Sequence, residues 1–199
     1  MDILELVKNR KTIRRYEKKK IPSKILEKII EAGVWGPSVP SFLKIQPWKF
    51  VVITDQVAKS KLVEVVVRKA KESPAGVNVM LSSASRIIDN ANVAILIFNS
   101  EDLEKVGDKY KEIMSRFKKL LKVAELSAIA ATIQNMILVA ESLGIGSCWL
   151  DTPLFCNEEI KKLFKSNKNL AAVLALGYSN ELGSRSPRKP LTEMVRYIK

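Results

Sequence analysis

Four residues near the start of the chain have side chains suited to holding a phosphate group. Within five positions the sequence supplies two guanidinium groups, an ammonium group and a hydroxyl group, on Arg10, Lys11, Thr12 and Arg14. A planar guanidinium can bind two phosphate oxygens at once, so this set is a candidate site for a phosphate monoester. A solvated basic turn is the alternative, and charge alone favours it. A second basic group, in the tail, has the same two interpretations: Arg185, Arg188 and Lys189.

The composition limits the chemistry that the protein could perform by itself. Its 199 residues include no histidine, so any chemistry must come from carboxylates, lysine, cysteine or a bound cofactor. Cys148 and Cys156 do not form a CxxC pair, and we expect neither a zinc site nor a disulfide. The start of the chain lacks the pattern of a signal peptide. We therefore expect a reduced, cytoplasmic protein with a single domain, residues 1–199.

The formal net charge of +13 raises the question of an anionic partner. The lysines are spread along the chain, and only residues 9–20 form a dense basic run. This distribution favours a solvated surface over a surface for nucleic acid or lipid. We therefore expect no nucleic-acid and no membrane partner, and keep a basic nucleic-acid-associated protein as a less favoured alternative.

Residues 125–143 form the most apolar segment of the chain, and the other elements are expected to surround it. Between Ala128 and Ala140 its only polar residues are Thr132, Gln134 and Asn135. A helix that is apolar on nearly all faces is either buried in its own chain or shared with a second chain, and both interpretations stay open here. The segment is too short and too interrupted to indicate a membrane span. Gly144 is its expected C-terminal cap.

Apolar periodicity and turn residues predict the remaining elements. Helices are predicted for residues 2–9, 22–33, 55–71, 102–121 and 157–164. Strands are predicted for residues 48–54, 92–99, 148–150 and 170–178. The first strand is too continuously apolar for an exposed edge, so we expect it to be buried on both faces. Residues 36–47 contain three prolines and are predicted to form a loop, and residues 73–85 are predicted to be irregular.

Short segments spread over nearly the whole chain resemble the FMN-dependent nitroreductase family. They are RKTIRRY from Arg10, GPS from Gly36, QPWKF from Gln46, AESLGIGSCWL from Ala140 and RKPL from Arg188. The resemblance implies an α+β, three-layer fold with a central, mostly antiparallel sheet flanked by helices. It also implies an intertwined homodimer with FMN in each of two interface clefts, the apolar central helix in the interface, and a lid helix as an excursion at about residues 102–122.

The resemblance further implies which residues bind FMN. The phosphate and the flavin edge would be held by Arg10, Lys11, Thr12 and Arg14, with Arg188 and Lys189 added from the tail. The partner chain would supply Pro37, Ser38, Ser41, Lys44 and Gln46. The third strand would add Leu150, Asp151 and Thr152, and the middle of the chain would add Ser83. Asp151 and Thr152 stand where the family commonly has Gly-Gly or Glu-Gly, so a negative charge is expected close to flavin N5.

By this resemblance the chain is an NAD(P)H-dependent flavin oxidoreductase. NADH or NADPH would give a hydride to flavin N5, and a nitroaromatic, a quinone or a similar electron-poor acceptor would then take it in a ping-pong cycle. No catalytic side chain and no metal are expected. The acceptor pocket is expected to be lined by Phe42, Met114, Phe117 and Phe155. The alternatives are a flavin-storage module with little turnover, and reductive dehalogenation or flavin-destroying chemistry on the same scaffold.

Overall fold

The computed structural model describes residues 2–38, 45–100, 111–183 and 186–198, and residues 111–119 by their backbone only. The helices are α1 (Ile3–Asn9), α2 (Ser23–Val34), α3 (Gln56–Lys71), α4 (Ala75–Asn90), α5 (Lys111–Ser142), α6 (Asn157–Leu163) and α7 (Leu191–Met194). The strands are β1 (Trp48–Ile53), β2 (Val93–Asn99), β3 (Gly146–Leu150) and β4 (Asn169–Gly177), and a 3-10 helix spans Thr152–Cys156.

The four strands form one antiparallel sheet in the order β1-β2-β4-β3. Strand β2 lies in the centre with every residue buried. Strand β4 beside it is buried except within its first three residues. Both are apolar except for a terminal asparagine, Asn99 in β2 and Asn169 in β4, as expected for strands covered on both faces. The sheet thus forms the central layer on which the helices pack and the site is built.

Helices cover the two faces of the sheet as separate layers. One face packs against α2 and α5, with a core that includes Ile29, Ile95, Ile133, Met136 and Leu174. The other face packs against α3, α4, α6 and the 3-10 helix, with a core that includes Leu62, Leu81, Ile88, Leu96 and Val173. The predicted α+β fold with a central antiparallel sheet between helical layers is confirmed.

Strand β1 is an edge strand, and the expectation that it is buried on both faces is wrong. Of its six residues only Trp48 and Ile53 are buried, while Lys49 is exposed. On its outer side no other described strand pairs with it. The continuous apolar run arises because both faces of the strand pack partly against the core, through Val51 on one face and through Phe50 and Val52 on the other, while its outer edge stays uncovered by the described strands.

Residues 75–90 form the regular helix α4, and the expectation of an irregular segment is wrong. Its buried residues recur at helical spacing and pack against α3, namely Leu81, Ala84, Ile87 and Ile88. Its polar side chains bond back to the backbone, as Asn78 Nδ2 does to Ala70 O at 2.8 Å. The serines and the early glycine of this segment hid the apolar stripe.

Helix α5 is a single described helix of 32 residues, longer than the predicted apolar segment. Its stretch Leu120–Ser142 is longer than the predicted apolar segment and could cross a membrane by length and composition alone, a test that core helices also pass. Packing against α2 and the sheet makes it a core helix of this chain, with Ala128, Ile133 and Ala140 buried. Gly144 follows with a φ of 71°, as expected for the C-terminal cap. Residues 102–110 of the predicted lid helix lie outside the described residues.

Helix α6 begins at Asn157, as predicted. Its N-cap residue is Cys156, whose side chain makes no cap hydrogen bond. The Asn157 side chain has a different role, because its Oδ1 accepts a hydrogen bond from Leu170 N at 2.7 Å and so joins α6 to the first residues of β4.

Candidate functional site

A recess of about 680 Å³ lies where both ends of the chain meet α5. It is lined by residues from the N-terminal segment, from the middle of α5 and from the tail: Val7, Lys8, Arg10, Thr12, Gln134, Ser186 and Arg188. We call it the basic recess. The structure thus brings together three of the predicted phosphate ligands, Arg10, Thr12 and Arg188, across almost the full length of the sequence.

The polar groups of the basic recess suit a phosphate. Guanidinium groups come from Arg10 and Arg188, an ammonium group comes from Lys8, and hydroxyl groups come from Thr12 and Ser186. All of them can donate hydrogen bonds to phosphate oxygens. The described lining residues include no carboxylate, so no fixed negative charge in the lining opposes an anion. The donor set therefore fits the phosphate of FMN.

Strand β3 holds residues 10–16, which we call the basic segment, in place. Thr12 forms a parallel bridge with Ser147, and Ile13 N donates to Ser147 O at 2.9 Å. The Ile13 side chain is buried and lies against Gly146, where an added Cβ would come within 2.9 Å of Ile13 Cβ. The segment therefore runs along the edge of the sheet, and the missing side chain of Gly146 lets it approach.

The residues that follow β4 hold the same segment from its other side. Glu181 Oε2 accepts hydrogen bonds from Arg14 N at 2.9 Å and Arg15 N at 3.1 Å. Ser179 Oγ donates to Arg15 O at 2.6 Å. A backbone bond of 2.8 Å from Glu17 N to Tyr178 O continues the contact. The basic segment is thus fixed between β3 and residues 178–183.

Lys11 is directed away from the basic recess. Its Nζ donates to Leu182 O at 2.7 Å, and its side chain lines a separate recess of about 270 Å³ with Ile13 and Glu141. Neighbouring residues of an extended segment point to opposite sides, which separates Lys11 from Arg10 and Thr12. The structure therefore does not bring Lys11 together with the other predicted phosphate ligands.

Arg14 and Arg15 are both exposed but have different neighbours. Burial raises the pKa of the Cys148 thiol to about 11, and the positive charge of Arg14 opposes that rise. Burial also raises the pKa of Tyr16, again with Arg14 acting in the opposite direction. Arg15 instead lines a recess with Tyr16 and residues after β4. The positive charge of Arg14 therefore acts on the Cys148 thiol in β3.

The predicted residues at the end of β3 lie outside the basic recess. Leu150 is buried, Asp151 is exposed, and Thr152 opens the 3-10 helix. The Asp151 carboxylate accepts a hydrogen bond from Trp149 Nε1 at 2.5 Å, so a donor of its own chain stabilises its negative charge. Ser83 is exposed on α4, the helix that packs against the 3-10 helix.

The predicted loop residues are only partly within the described part of the chain. Pro37 and Gln46 are exposed and Ser38 is half-buried, and none of them lines the basic recess of their own chain. Ser41 and Lys44 lie outside the described residues, as do Phe42 and the side chains of Met114 and Phe117. Phe155 is described and is 52% exposed.

Gly36 fixes the start of the loop on α5. An added Cβ there would come within 2.0 Å of Thr132 Oγ1. That hydroxyl is buried and has no hydrogen-bond partner among the described residues. The backbone before the loop therefore lies directly on the helix that also supplies Gln134 to the recess.

The two adjacent cations of the tail, Arg188 and Lys189, lie in different surroundings. Arg188 lines the basic recess, and its Nη1 donates to Ser186 O at 3.2 Å. Lys189 instead forms an exposed ion pair with Glu193, with 3.6 Å between Nζ and Oε2. The structure thus places Arg188 in the predicted phosphate site and does not place Lys189 there.

Sequence reasoning missed several residues that build the site. Gln134 was visible as a polar residue in an apolar helix, and that interruption was the available signal. Ser186 lies in the basic tail segment, but a hydroxyl group in a loop is too common to indicate a phosphate ligand. Glu181 and Ser179 carried no sequence signal, because their role depends on contacts with residues more than 160 positions away.

Comparison with known proteins gives consistent results. The model of the nitroreductase family matches residues 7–178. A provisionally named NADH dehydrogenase/NAD(P)H nitroreductase of Methanothermobacter thermautotrophicus is 30% identical, over 91% of this chain and 79% of the relative. An iodotyrosine deiodinase of Thermotoga neapolitana is 25% identical, over 98% and 97%.

A solved structure extends the comparison to the fold and to a cofactor. A provisionally named nitroreductase of Desulfovibrio desulfuricans, solved in complex with FMN, has a TM-score of 0.73 and 25% identity. The match covers 100% of this chain and 98% of that one. The predicted family resemblance and the predicted oxidoreductase class are confirmed, and the predicted cofactors, FMN and NAD(P)H, are those found in or named for these relatives.

Proposed function

Because the chain belongs to the nitroreductase family, we propose that it is an FMN-dependent oxidoreductase that uses NADH or NADPH to reduce an electron-poor acceptor such as a nitroaromatic compound or a quinone. The basic recess is the observation that carries this proposal, since Arg10, Thr12 and Arg188 meet there as donors for a terminal phosphate. FMN supplies the hydride chemistry when bound. In the ping-pong cycle that we propose, nicotinamide and acceptor use the same site in turn.

The residues of the chain then bind and orient the cofactor. Arg10 and Arg188 neutralise the phosphate, and Thr12 donates a hydrogen bond to it. Arg14, whose charge is felt at Cys148 in β3, supplies a fixed positive charge that favours the anionic reduced flavin. The Asp151 carboxylate is held by the Trp149 indole, which reduces its repulsion of a reduced flavin. No protein base is required, which agrees with the absence of histidine.

We also propose that the chain, as one domain of residues 1–199, works as a homodimer. Several large apolar residues of α1, α5 and α7 are more than half exposed, and we call them the open surface: Ile3, Leu4, Leu120, Val123, Leu126, Leu191 and Met194. Helix α1 buries none of its residues in its own chain. Apolar surface of this kind favours cover by another chain, and the predicted interface includes α5.

Spectroscopy of the purified protein tests the proposal. We expect a yellow protein whose heat-released cofactor has the mass of FMN. Under anaerobic conditions NADH or NADPH should bleach the flavin absorbance, and a nitroarene or a quinone should restore it. Release of FAD, or no binding after incubation with excess FMN, would overturn the proposal. Bleaching without reoxidation by any acceptor would favour the flavin-storage alternative.

Reductive dehalogenation is the second candidate function, and the similarity to an iodotyrosine deiodinase over nearly the whole of both chains favours it. In that reaction an aryl iodide takes up two electrons and a proton and releases iodide. Incubation of the reduced holoenzyme with iodotyrosine, with iodide measured by an ion-selective electrode, distinguishes the two. Iodide release at a rate comparable with nitroarene reduction would favour the second candidate, and its absence the first.

A further inference from the structure

We propose that Glu181 is a positioning residue for the basic recess and sets the selectivity of the site for a phosphorylated flavin. Its carboxylate holds the backbone of the basic segment and does not contact the ligand. This inference rests on the proposed function. It concerns residues 178–183, which we call the strap because they follow β4 and run along the basic segment.

The contact between Glu181 and the basic segment has an unusual geometry. A single oxygen, Oε2, accepts hydrogen bonds from two successive backbone amides, those of Arg14 and Arg15. In an extended chain successive N–H groups point to opposite sides, so the chain must turn here for both to converge. Two successive amides that converge form a concave anion site, and the carboxylate of Glu181 occupies it. The glutamate therefore fixes the conformation at the end of the basic segment.

Other contacts brace the strap against the same segment. Ser179 Oγ donates to Arg15 O at 2.6 Å and accepts from Glu181 N at 2.9 Å, so it holds both partners of the contact. Lys11 Nζ donates to Leu182 O at 2.7 Å. Gly183 has a φ of 64°, and an added Cβ there would come within 2.9 Å of Lys11 Cβ. The strap therefore cannot move without moving the basic segment.

The strap also leads to the second half of the recess. Ser186 and Arg188 follow within five residues of Gly183 and line the recess together with Arg10 and Thr12. The distance between the two groups of donors thus depends on the registry of the strap with the basic segment. Glu181 makes two of the bonds that set this registry. A charged acceptor forms stronger hydrogen bonds than a neutral one, which suits it to hold a segment rich in cations.

Flavin binding by three variants tests the proposal. Glu181→Asp keeps the charge but withdraws the carboxylate by one methylene group, and Glu181→Ala removes it. Glu181→Gln keeps an oxygen in place to accept from both amides. The control is Glu158→Asp, because Glu158 is an exposed glutamate of α6 whose ion pair is with Lys161. Dissociation constants for FMN and for riboflavin, which lacks the phosphate, are measured by fluorescence quenching, beside thermal unfolding of each variant.

We expect Glu181→Asp and Glu181→Ala to bind FMN about tenfold more weakly. This is the effect of losing one charge-assisted hydrogen bond between the recess and the phosphate. Riboflavin binding should change by less than about threefold, so the preference for FMN falls, whereas a general loss of stability would not change that preference. Glu181→Gln should weaken FMN binding less than either variant, because its neutral amide oxygen still accepts from both backbone amides but more weakly than a carboxylate does. Where Glu181→Ala does not fold, Glu181→Asp decides.

Two results are contrary and separate the possible failures. If the parent binds FMN and Glu181→Asp retains the parental preference for FMN over riboflavin, Glu181 is not a positioning residue and this inference is overturned. If the parent binds no FMN at all, the proposed function is overturned, and with it the inference that rests on it.

Discussion

The β3 edge of the sheet and the open surface differ in how completely the chain covers them. At the β3 edge the basic segment is bonded to Ser147 on one side and to Glu181 on the other. On the open surface, by contrast, Ile3 is 76% exposed and Leu126 is 52% exposed. The first region is polar and held by hydrogen bonds within the chain, while the second is apolar and exposed.

This difference indicates which part of the molecule one chain forms by itself and which surface needs a second chain to cover it. Hydrogen bonds between the two ends of the chain give the basic recess its shape before any ligand arrives, and such preorganisation favours tight binding. The open surface has no comparable internal cover among the described residues. We infer that the phosphate half of the site is a property of one chain, whereas the interface is a property of two.

The largest effect is expected on the open surface. Leu126→Glu should raise the dissociation constant of the proposed dimer by about a hundredfold to a few thousandfold, because an unpaired charge buried in an interface costs roughly 3–5 kcal/mol. Val57→Glu is the matched control, since Val57 is 64% exposed on α3, on the other side of the sheet. Sedimentation velocity over a concentration series measures both. An unchanged dimer in Leu126→Glu, or a monomeric parent, would contradict the assignment of the interface.

The next effect is expected in the tail, where two adjacent cations have different surroundings. Arg188→Ala should weaken FMN binding by about tenfold to a hundredfold, since a hydrogen bond to a charged group contributes roughly 1.5–3 kcal/mol. Lys189→Ala should change it by less than about threefold, because Lys189 is paired with Glu193 outside the recess. Fluorescence titration compares the two variants, and equal losses would indicate that the tail acts only through its total charge.

A substitution at the β3 edge tests how closely the basic segment must approach. Gly146→Ala should lower the free energy of unfolding by about 1–3 kcal/mol, because its Cβ would overlap the Ile13 side chain. Gly76→Ala is the control. Its Cβ meets nothing within 4 Å, and in the first turn of α4 it should stabilise the protein by about 0.5–1 kcal/mol. Urea denaturation gives both values, and a stabilised Gly146→Ala would show that the segment can move away freely.

The smallest effect is expected for the two exposed arginines of the basic segment. Arg14→Ala should weaken FMN binding by about tenfold and lower the flavin potential, since a charge near a reduced flavin contributes roughly 1–2 kcal/mol. Arg15→Ala should stay within a few tenths of a kcal/mol, as is usual for surface substitutions. Titration and dye equilibration measure affinity and potential. Similar losses for both would mean that this end of the segment is a diffuse positive patch.

The fold was predictable from the sequence wherever local pattern and final surroundings agreed. Strand β2 is apolar up to its last residue, Asn99, and is buried along its whole length. Helix α4 was missed because Ser82, Ser83 and Ser85 lower the apolar content of a segment whose packing is nevertheless regular. Burial of β1 was wrongly expected because a sequence shows that a strand is apolar, but it does not show which neighbour covers it.

The candidate site was predictable in its chemistry and less so in its geometry. The residue types at Arg10, Thr12 and Arg188 indicated an anion site, and the structure places them together. The direction of Lys11 and the pairing of Lys189 depend on the strap and on α7, which no local pattern reveals. FMN binding by each of these residues, the cytoplasmic location and the absence of nucleic-acid or membrane partners stay predictions.

The basic recess also has a consequence for the order in which the protein matures. The hydrogen bonds between the basic segment and residues 178–183 join residues 160 or more positions apart, such as Arg14 with Glu181. Contacts of such large sequence separation form late, because a long loop must close before they contribute. During synthesis the N-terminal basic segment therefore waits for nearly the whole chain to emerge. We therefore expect flavin binding to begin only after residues 178–183 have been synthesised and have packed against the basic segment.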